Sequence, residues 1–262
     1  MKAGAAVDIK SANSPLDFNH QPHTYSLIMT TTTRTLIVFG AGPGIGNHVA
    51  AEFASKDINH IILLSRNTQR LQNEDAPFVS AASKDVKVDI LQIDLSDLAS
   101  IPAVLKELDN LTTNESVEII FFNAARIHPS PILSTPVQEI DEDLRTTTLS
   151  LYLIAQHFLP HLTSLSQSSA STSSPLKPAL LVTNSALPHS PVPELLSLSL
   201  VKAAQRNMVQ SLRLAFGEKG VHVGLVSVEG VVGMDEEVRN PKNIARRTVE
   251  FWERGEGLEV RI

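Results

Sequence analysis

The feature that most constrains this chain is a short apolar run, Thr35-Leu36-Ile37-Val38-Phe39, followed at once by Gly40-Ala41-Gly42-Pro43-Gly44-Ile45-Gly46. The run is rich in β-branched and large apolar residues and reads as a buried strand. Asn47 to Phe53, beyond the glycines, reads as a helix. A strand that passes through glycines into a helix start brings free backbone N–H groups and the positive helix end to one point. Missing Cβ atoms let an anion come close to them. Four glycines in seven residues exceed what a tight turn needs. The stretch therefore predicts a phosphate cradle. Its spacing is G-x-x-x-G-x-G, at Gly40, Gly44 and Gly46; G-x-G-x-x-G fails because Ile45 stands at its last glycine.

From Arg34 onward, short β-branched runs alternate with longer amphipathic stretches. Strands are expected at Thr35–Phe39, His60–Leu64, Val86–Ile93, Val117–Phe122, Ala179–Thr183, Val221–Val228 and Leu258–Ile262. Helical patterns lie near 45–56, 97–109, 136–163, 194–217 and 241–254. Parallel strands must be joined by crossovers, so this alternation predicts an α/β fold: one doubly wound, Rossmann-like parallel sheet with helices on both faces. Residues 34–262 are read as one domain and 1–33 as a flexible leader, in which Met29 is an equally sensible start. The Ser/Thr-rich stretch 163–175 is expected to be a mobile surface loop.

Composition removes several function classes. Among 262 residues the formal net charge is −6, with no general basic surface to bind nucleic acid. The absence of cysteine excludes disulfides, thiolate metal sites and a cysteine nucleophile. His157 and His161 stand i, i+4 on a helical pattern, but no third ligand suggests itself, so no metal is expected. The longest apolar run, Leu151 to Ala155, is far below the roughly 20 residues that cross a bilayer. No secretory signal is evident at the start, so a soluble protein is expected, cytoplasmic by default.

The glycine spacing resembles that of the short-chain dehydrogenase/reductase family, with Phe39 where the family usually has Thr. Further landmarks follow in the family's order. About 20 residues on, where NAD binders carry an acid for the ribose 2′-OH, stands Leu64-Ser65-Arg66-Asn67. A cationic Arg66 beside the Ser65 hydroxyl favours NADP(H) over NAD(H). Asp94-Leu95 after the third strand resembles the family's adenine contact, or caps a helix starting near Ser96. Asn123-Ala124-Ala125 resembles the family's Asn-Ala-Gly turn. Val232 lies in Glu229-Gly230-Val231-Val232, where the family has Pro-Gly. The resemblance implies cofactor contacts at Gly40, Gly44, Ile45, Gly46, Ser65, Arg66, Asp94, Leu95, Asn123, Ala124, Lys202 and Val232.

The family's chemistry uses a Ser, a Tyr about 13 residues later and a Lys four after that, the Tyr exchanging the proton with the substrate oxygen. Ser185 and Lys202 are 17 residues apart and fit this interval as catalytic residues. Leu198 stands where the Tyr belongs, and Thr147 near the family's helix Asn. Tyr25 and Tyr152 are the chain's two tyrosines, and neither has a Lys four residues on. Ser185, His189, Arg126 and His128 lie in segments that should border the pocket. The resemblance thus implies an NADP(H)-dependent oxidoreductase with an altered proton-donor site, acting on a small, largely apolar molecule. It resembles members from natural-product pathways. An inactive NADP(H)-binding regulator, or an isomerase or cyclase on the same scaffold, are the alternatives. Helices near 136–163 and 194–217 carry surplus apolar surface, so a homodimer or homotetramer is expected.

Overall fold

Parallel strands are covered on both faces, and their sequences are accordingly near-continuous apolar runs. A computed structural model describes residues 33–170 and 175–262; the expected leader, with Met29 and Tyr25, and residues 171–174 lie outside them. Among the described residues the strands are β1 (Arg34–Phe39), β2 (His60–Ser65), β3 (Lys87–Gln92), β4 (Ser116–Phe122), β5 (Ala179–Ser185), β6 (His222–Val228) and β7 (Glu259–Arg261). They pair in the order β3-β2-β1-β4-β5-β6-β7, parallel throughout. The order reverses between β1 and β4, and ligands of such sheets bind beyond the strands' carboxyl ends at that point.

Side chains alternate between the faces. Leu36, Val38, Ile61, Leu63, Ile119 and Phe121 pack on one side with Val49, Phe53, Val249 and Trp252. Ile37, Phe39, Ile62, Leu64, Ile120 and Phe122 pack on the other with Leu105, Leu108, Ile154, Phe158 and Val209. The helices are α1 (Ile45–Ala54), α2 (Thr68–Arg70), α3 (Ala76–Ser80), α4 (Ile101–Leu111), α5 (Val137–Leu144), α6 (Ser150–Ser169), α7 (Leu196–Phe216) and α8 (Pro241–Arg254), of which α1, α4, α6, α7 and α8 supply these residues. Single π-helical turns, Leu71–Asp75 and Arg145–Leu149, join α2 to α3 and α5 to α6.

Two expectations are corrected, and one stretch outside the expected elements is helical. Residues 68–80 form short helical turns: Asn67 caps them by accepting the Arg70 N–H, and Pro77 occupies the first turn of α3. The stretch 163–175 is not all loop, because α6 continues to Ser169. The hydroxyls of Thr163, Ser164 and Ser168 donate to carbonyls three or four residues back, and Leu162 stays buried. Polar residues here extend a helix whose apolar face is already docked. Asp94 caps no helix, since α4 begins only at Ile101 after a turn.

Within fully buried β6, His222 lies edge-on to Phe251 at 4.5 Å between centroids and its Nε2 donates to the Gly257 carbonyl. Burial lowers its pKa to about 4. The unfolded chain takes up this proton near pH 6.5 and the folded chain only near 4, so folding stability falls as pH drops through that window. His222→Gln should flatten this acid limb in urea titrations at pH 7 and pH 4.5; an unchanged limb would refute the assignment.

Candidate active site

The cleft begins with a contact that no side chain could survive. Gly40, at φ +91°, would place a Cβ 2.8 Å from the Ala124 nitrogen and 2.9 Å from the Asn123 carbonyl carbon. A Cβ on Gly46 would lie 2.8 Å from the Gly40 oxygen. These two glycines let the exit of β1 close against the exit of β4. Asn123 fastens the junction: its Nδ2 donates to the Gly40 oxygen, and its Oδ1 accepts from the Thr183 hydroxyl. Gly44 differs, because nothing lies within 4 Å of its Cβ position. It precedes Ile45, where α1 starts, and no side chain caps that end. The N–H groups at that end are therefore left without a side-chain acceptor, as binding of a pyrophosphate requires.

Above this loop is an open cavity of about 420 Å³. Of the expected cofactor residues, Gly40, Ser65, Arg66, Asp94, Leu95, Asn123 and Ala124 line it. Gly44, Ile45 and Gly46 stand in the loop and first turn of α1 beside it, while Ile45 and Val232 pack partly against the core. Asp94 Oδ1 accepts from both the backbone and the hydroxyl of Ser96. Partial burial would raise the Asp94 carboxyl, but the Ser96 bonds and the Arg66 charge outweigh it and hold it low. Arg126 lines the wall, pinned by Asp143 and Glu139. Thr146 also lines the cavity, and its buried Oγ1 has no partner.

At the other end, Ser185 and Lys202 are not among the lining residues. Ser185 Oγ accepts from the Leu187 N–H, in a turn that leaves its own proton free to donate. Lys202 Nζ is buried and donates to the Thr183 carbonyl and Gln205 Oε1, both uncharged oxygens. Without an anion beside it, burial lowers its pKa to about 7. Gln205 Nε2 donates in turn to the carbonyl of Thr147. Leu198 is buried with no hydroxyl to offer. His189 is exposed. His128 Nε2 and the Ser197 hydroxyl both bond to Oδ2 of Asp143, which is 1% exposed. His157 bonds to Asp109.

Sequence reading missed Arg70, Asn67, Asp143 and Gln205. Arg70 is the most consequential, since its guanidinium reaches back 29 residues to donate to the Ala41 carbonyl inside the glycine loop. The legible signal was a second arginine four residues after Arg66, in the short helical stretch that follows it.

Two variants separate the roles of the glycines. Gly40→Ala should destabilise the fold by about 2 kcal/mol or more, because its methyl meets backbone. Gly44→Ala should cost the fold less and weaken binding of a dinucleotide instead; urea titration and calorimetry read the two effects, and equal stability loss at both sites would refute the distinction. Lys202 gives a pH test. The unfolded chain holds its proton up to about 10.5 and the folded chain only to about 7, so the parent loses stability as pH falls across that interval. Lys202→Met should not show this loss, so its stability relative to the parent should be greatest near pH 7 and decline toward pH 10; a relative stability that rises with pH would contradict the burial account.

Comparison with known proteins agrees with this geometry. The profile of the short chain dehydrogenase family matches residues 34–242. The human inactive hydroxysteroid dehydrogenase-like protein 1 is 27% identical over 190 residues, covering 72% of this chain and 53% of that protein. The very-long-chain 3-oxoacyl-CoA reductase of Pyricularia oryzae is 27% identical over 207 residues, covering 78% and 58%. The chain thus spans little more than half the length of these relatives. A short-chain dehydrogenase from Sphingobium yanoikuyae, solved in complex with NADPH, superposes with a TM-score of 0.71 at 22% identity, covering 87% of each chain. The cradle, the strand order and the family match lead to one conclusion: this chain belongs to the short chain dehydrogenase family.

Proposed function

We propose that the chain is an NADP(H)-dependent oxidoreductase with an altered proton-donor site, acting on a small, largely apolar molecule. The observation that carries this reading is the charge at the end of β2. Ser65, Arg66, Asn67 and Arg70 line the cavity there, and no carboxylate stands where a 2′-OH would be gripped. Two guanidinium groups suit a phosphate, which they meet with short charge-assisted bonds. The pyrophosphate would lie against Gly44, Ile45 and Gly46, the adenine near Asp94 and Leu95, and the far ribose and nicotinamide beyond Asn123 and Ala124. Lys202 would reach that ribose only by leaving Thr183.

When bound, the nucleotide supplies or accepts a hydride. The chain's own residues position the substrate, and Ser185, whose hydroxyl proton is free to donate, is assigned the orientation of the substrate oxygen. Leu198 has no proton to give, so the proton that a reduced carbonyl takes up comes from water. The apolar class is supported by exposed Ile127, Leu133, Val231 and Met234, on loops that follow β4 and β6 at the same sheet edge. A natural-product substrate and a homodimer or homotetramer belong to this proposal. No helix among the described residues is long and apolar enough to cross a membrane.

A second reading, nucleotide binding without turnover, is favoured by the absent phenol and by the ties of Lys202 to Thr183 and Gln205. One matched relative is itself named inactive.

Calorimetry with NADPH and NADH tests the main proposal. NADPH should bind about tenfold or more tightly, as expected of charged hydrogen bonds to one phosphate. Equal affinity, or preference for NADH, would overturn the cofactor assignment. Nucleotide binding with no NADPH oxidation across a broad ketone and imine panel would favour the second reading.

A further inference from the structure

A closed ring of hydrogen bonds surrounds the start of the glycine loop. The Gly42 N–H donates to Asn47 Oδ1 at 2.9 Å, and Asn47 Nδ2 donates to Asp75 Oδ1 at 2.6 Å. Asp75 Oδ2 accepts from Arg70 Nε at 2.9 Å, and Arg70 Nη2 returns to the Ala41 carbonyl at 2.7 Å. The Asp75 side chain is 1% exposed and that of Arg70 is 30% exposed. One face of the guanidinium is thus fixed inside the protein while the other lines the cavity.

Backbone geometry makes this ring possible. Residues five apart on a regular α-helix do not share a face, so Arg70 and Asp75 would diverge. The π-helical turn Leu71–Asp75, closed by the Ala76 N–H on the Leu71 carbonyl, brings them together. Arg66 has no such support. It is exposed, and among the described residues its guanidinium has no hydrogen-bond partner, whereas its backbone oxygen accepts from Gln92. A free arginine must lose its rotamer entropy when an anion binds, and a fixed one has already lost it.

We propose that Arg70, rather than the more obviously placed Arg66, is the residue that distinguishes a 2′-phosphate from a 2′-hydroxyl. Asp75 is its positioning residue, acting with Asn47 across the glycine loop. The proposal rests on the dinucleotide reading of the cleft. Asp75 is not among the residues that line the cavity; its Oδ2 sets the aim of Arg70, while the Oδ1 acceptor that holds Asn47 is kept in Asp75→Asn. Discrimination by this chain is therefore built into the turn between α2 and α3.

The test is calorimetry of NADPH and NADH with the parent, Arg66→Met, Arg70→Met and Asp75→Asn, each checked for folding by circular dichroism. Arg70→Met should cut the NADPH preference about tenfold or more, from the loss of a charged hydrogen bond, and leave the NADH dissociation constant nearly unchanged. Arg66→Met should cut it less. Asp75→Asn should reproduce part of the Arg70→Met loss, again in NADPH alone, a split that a merely structural role would not produce. If Asp75→Asn does not fold, the comparison of Arg70→Met with Arg66→Met decides, since both arginines reach solvent. Loss of preference in Arg66→Met with none in Arg70→Met overturns the proposal. So does equal weakening of both nucleotides by Arg70→Met, or a parent that binds both equally, while the dinucleotide reading survives. A parent that binds neither removes that reading and the proposal together.

Discussion

The structure depends on the approach of two strand ends. Gly40 lies so close to Asn123 and Ala124 that any Cβ would strike backbone, and Gly46 lies as close to Gly40 itself. This contact joins β1 to β4 where the strand order reverses, and it aims the start of α1 at the opening above. Asn123 and Thr183 hold the junction from beneath with bonds that cross three strands. The cavity, its floor and its glycine wall all follow from the missing side chains at two positions.

Around that junction the polar groups divide by charge. On the β2 side the two arginines face the cavity with one buried carboxylate behind them. Beneath the β4 and β5 ends, Lys202, Gln205, Asn184 and Thr183 form a buried network with no anion in it. On the far side Asp143 gathers Arg126, His128 and Ser197 at a single buried carboxylate. A bound dinucleotide would therefore meet one fixed and one free arginine at one end and, at the other, a lysine already engaged. The chain shares the family's fold.

Much of this was legible in the sequence. Strands buried on both faces read as apolar runs, so all seven were found within a few residues, and the glycine spacing located the cradle. The interval from Ser185 to Lys202 put Leu198 where the family's tyrosine was expected, and the side chain there is buried. What escaped depends on how the backbone returns on itself. Residues 68–80 are short, polar and carry Pro77, and their π-helical turn has no signature in hydrophobic periodicity. Nothing in that pattern singles out Arg70. The serines near 165 looked like loop because composition does not reveal that α6 is already docked by Leu159 and Leu162. Asp143 and Gln205 gave no warning either, since burial of a polar side chain is decided by partners distant in sequence.

The central claim is that the opening beside Gly44 is a pyrophosphate site. A crystal structure of the protein soaked with NADPH tests it most directly. The account predicts the pyrophosphate over the start of α1, against the backbone of Gly44 and Ile45, with the 2′-phosphate toward the end of β2. A nucleotide bound elsewhere, or a glycine loop left clear at saturating NADPH, would contradict it.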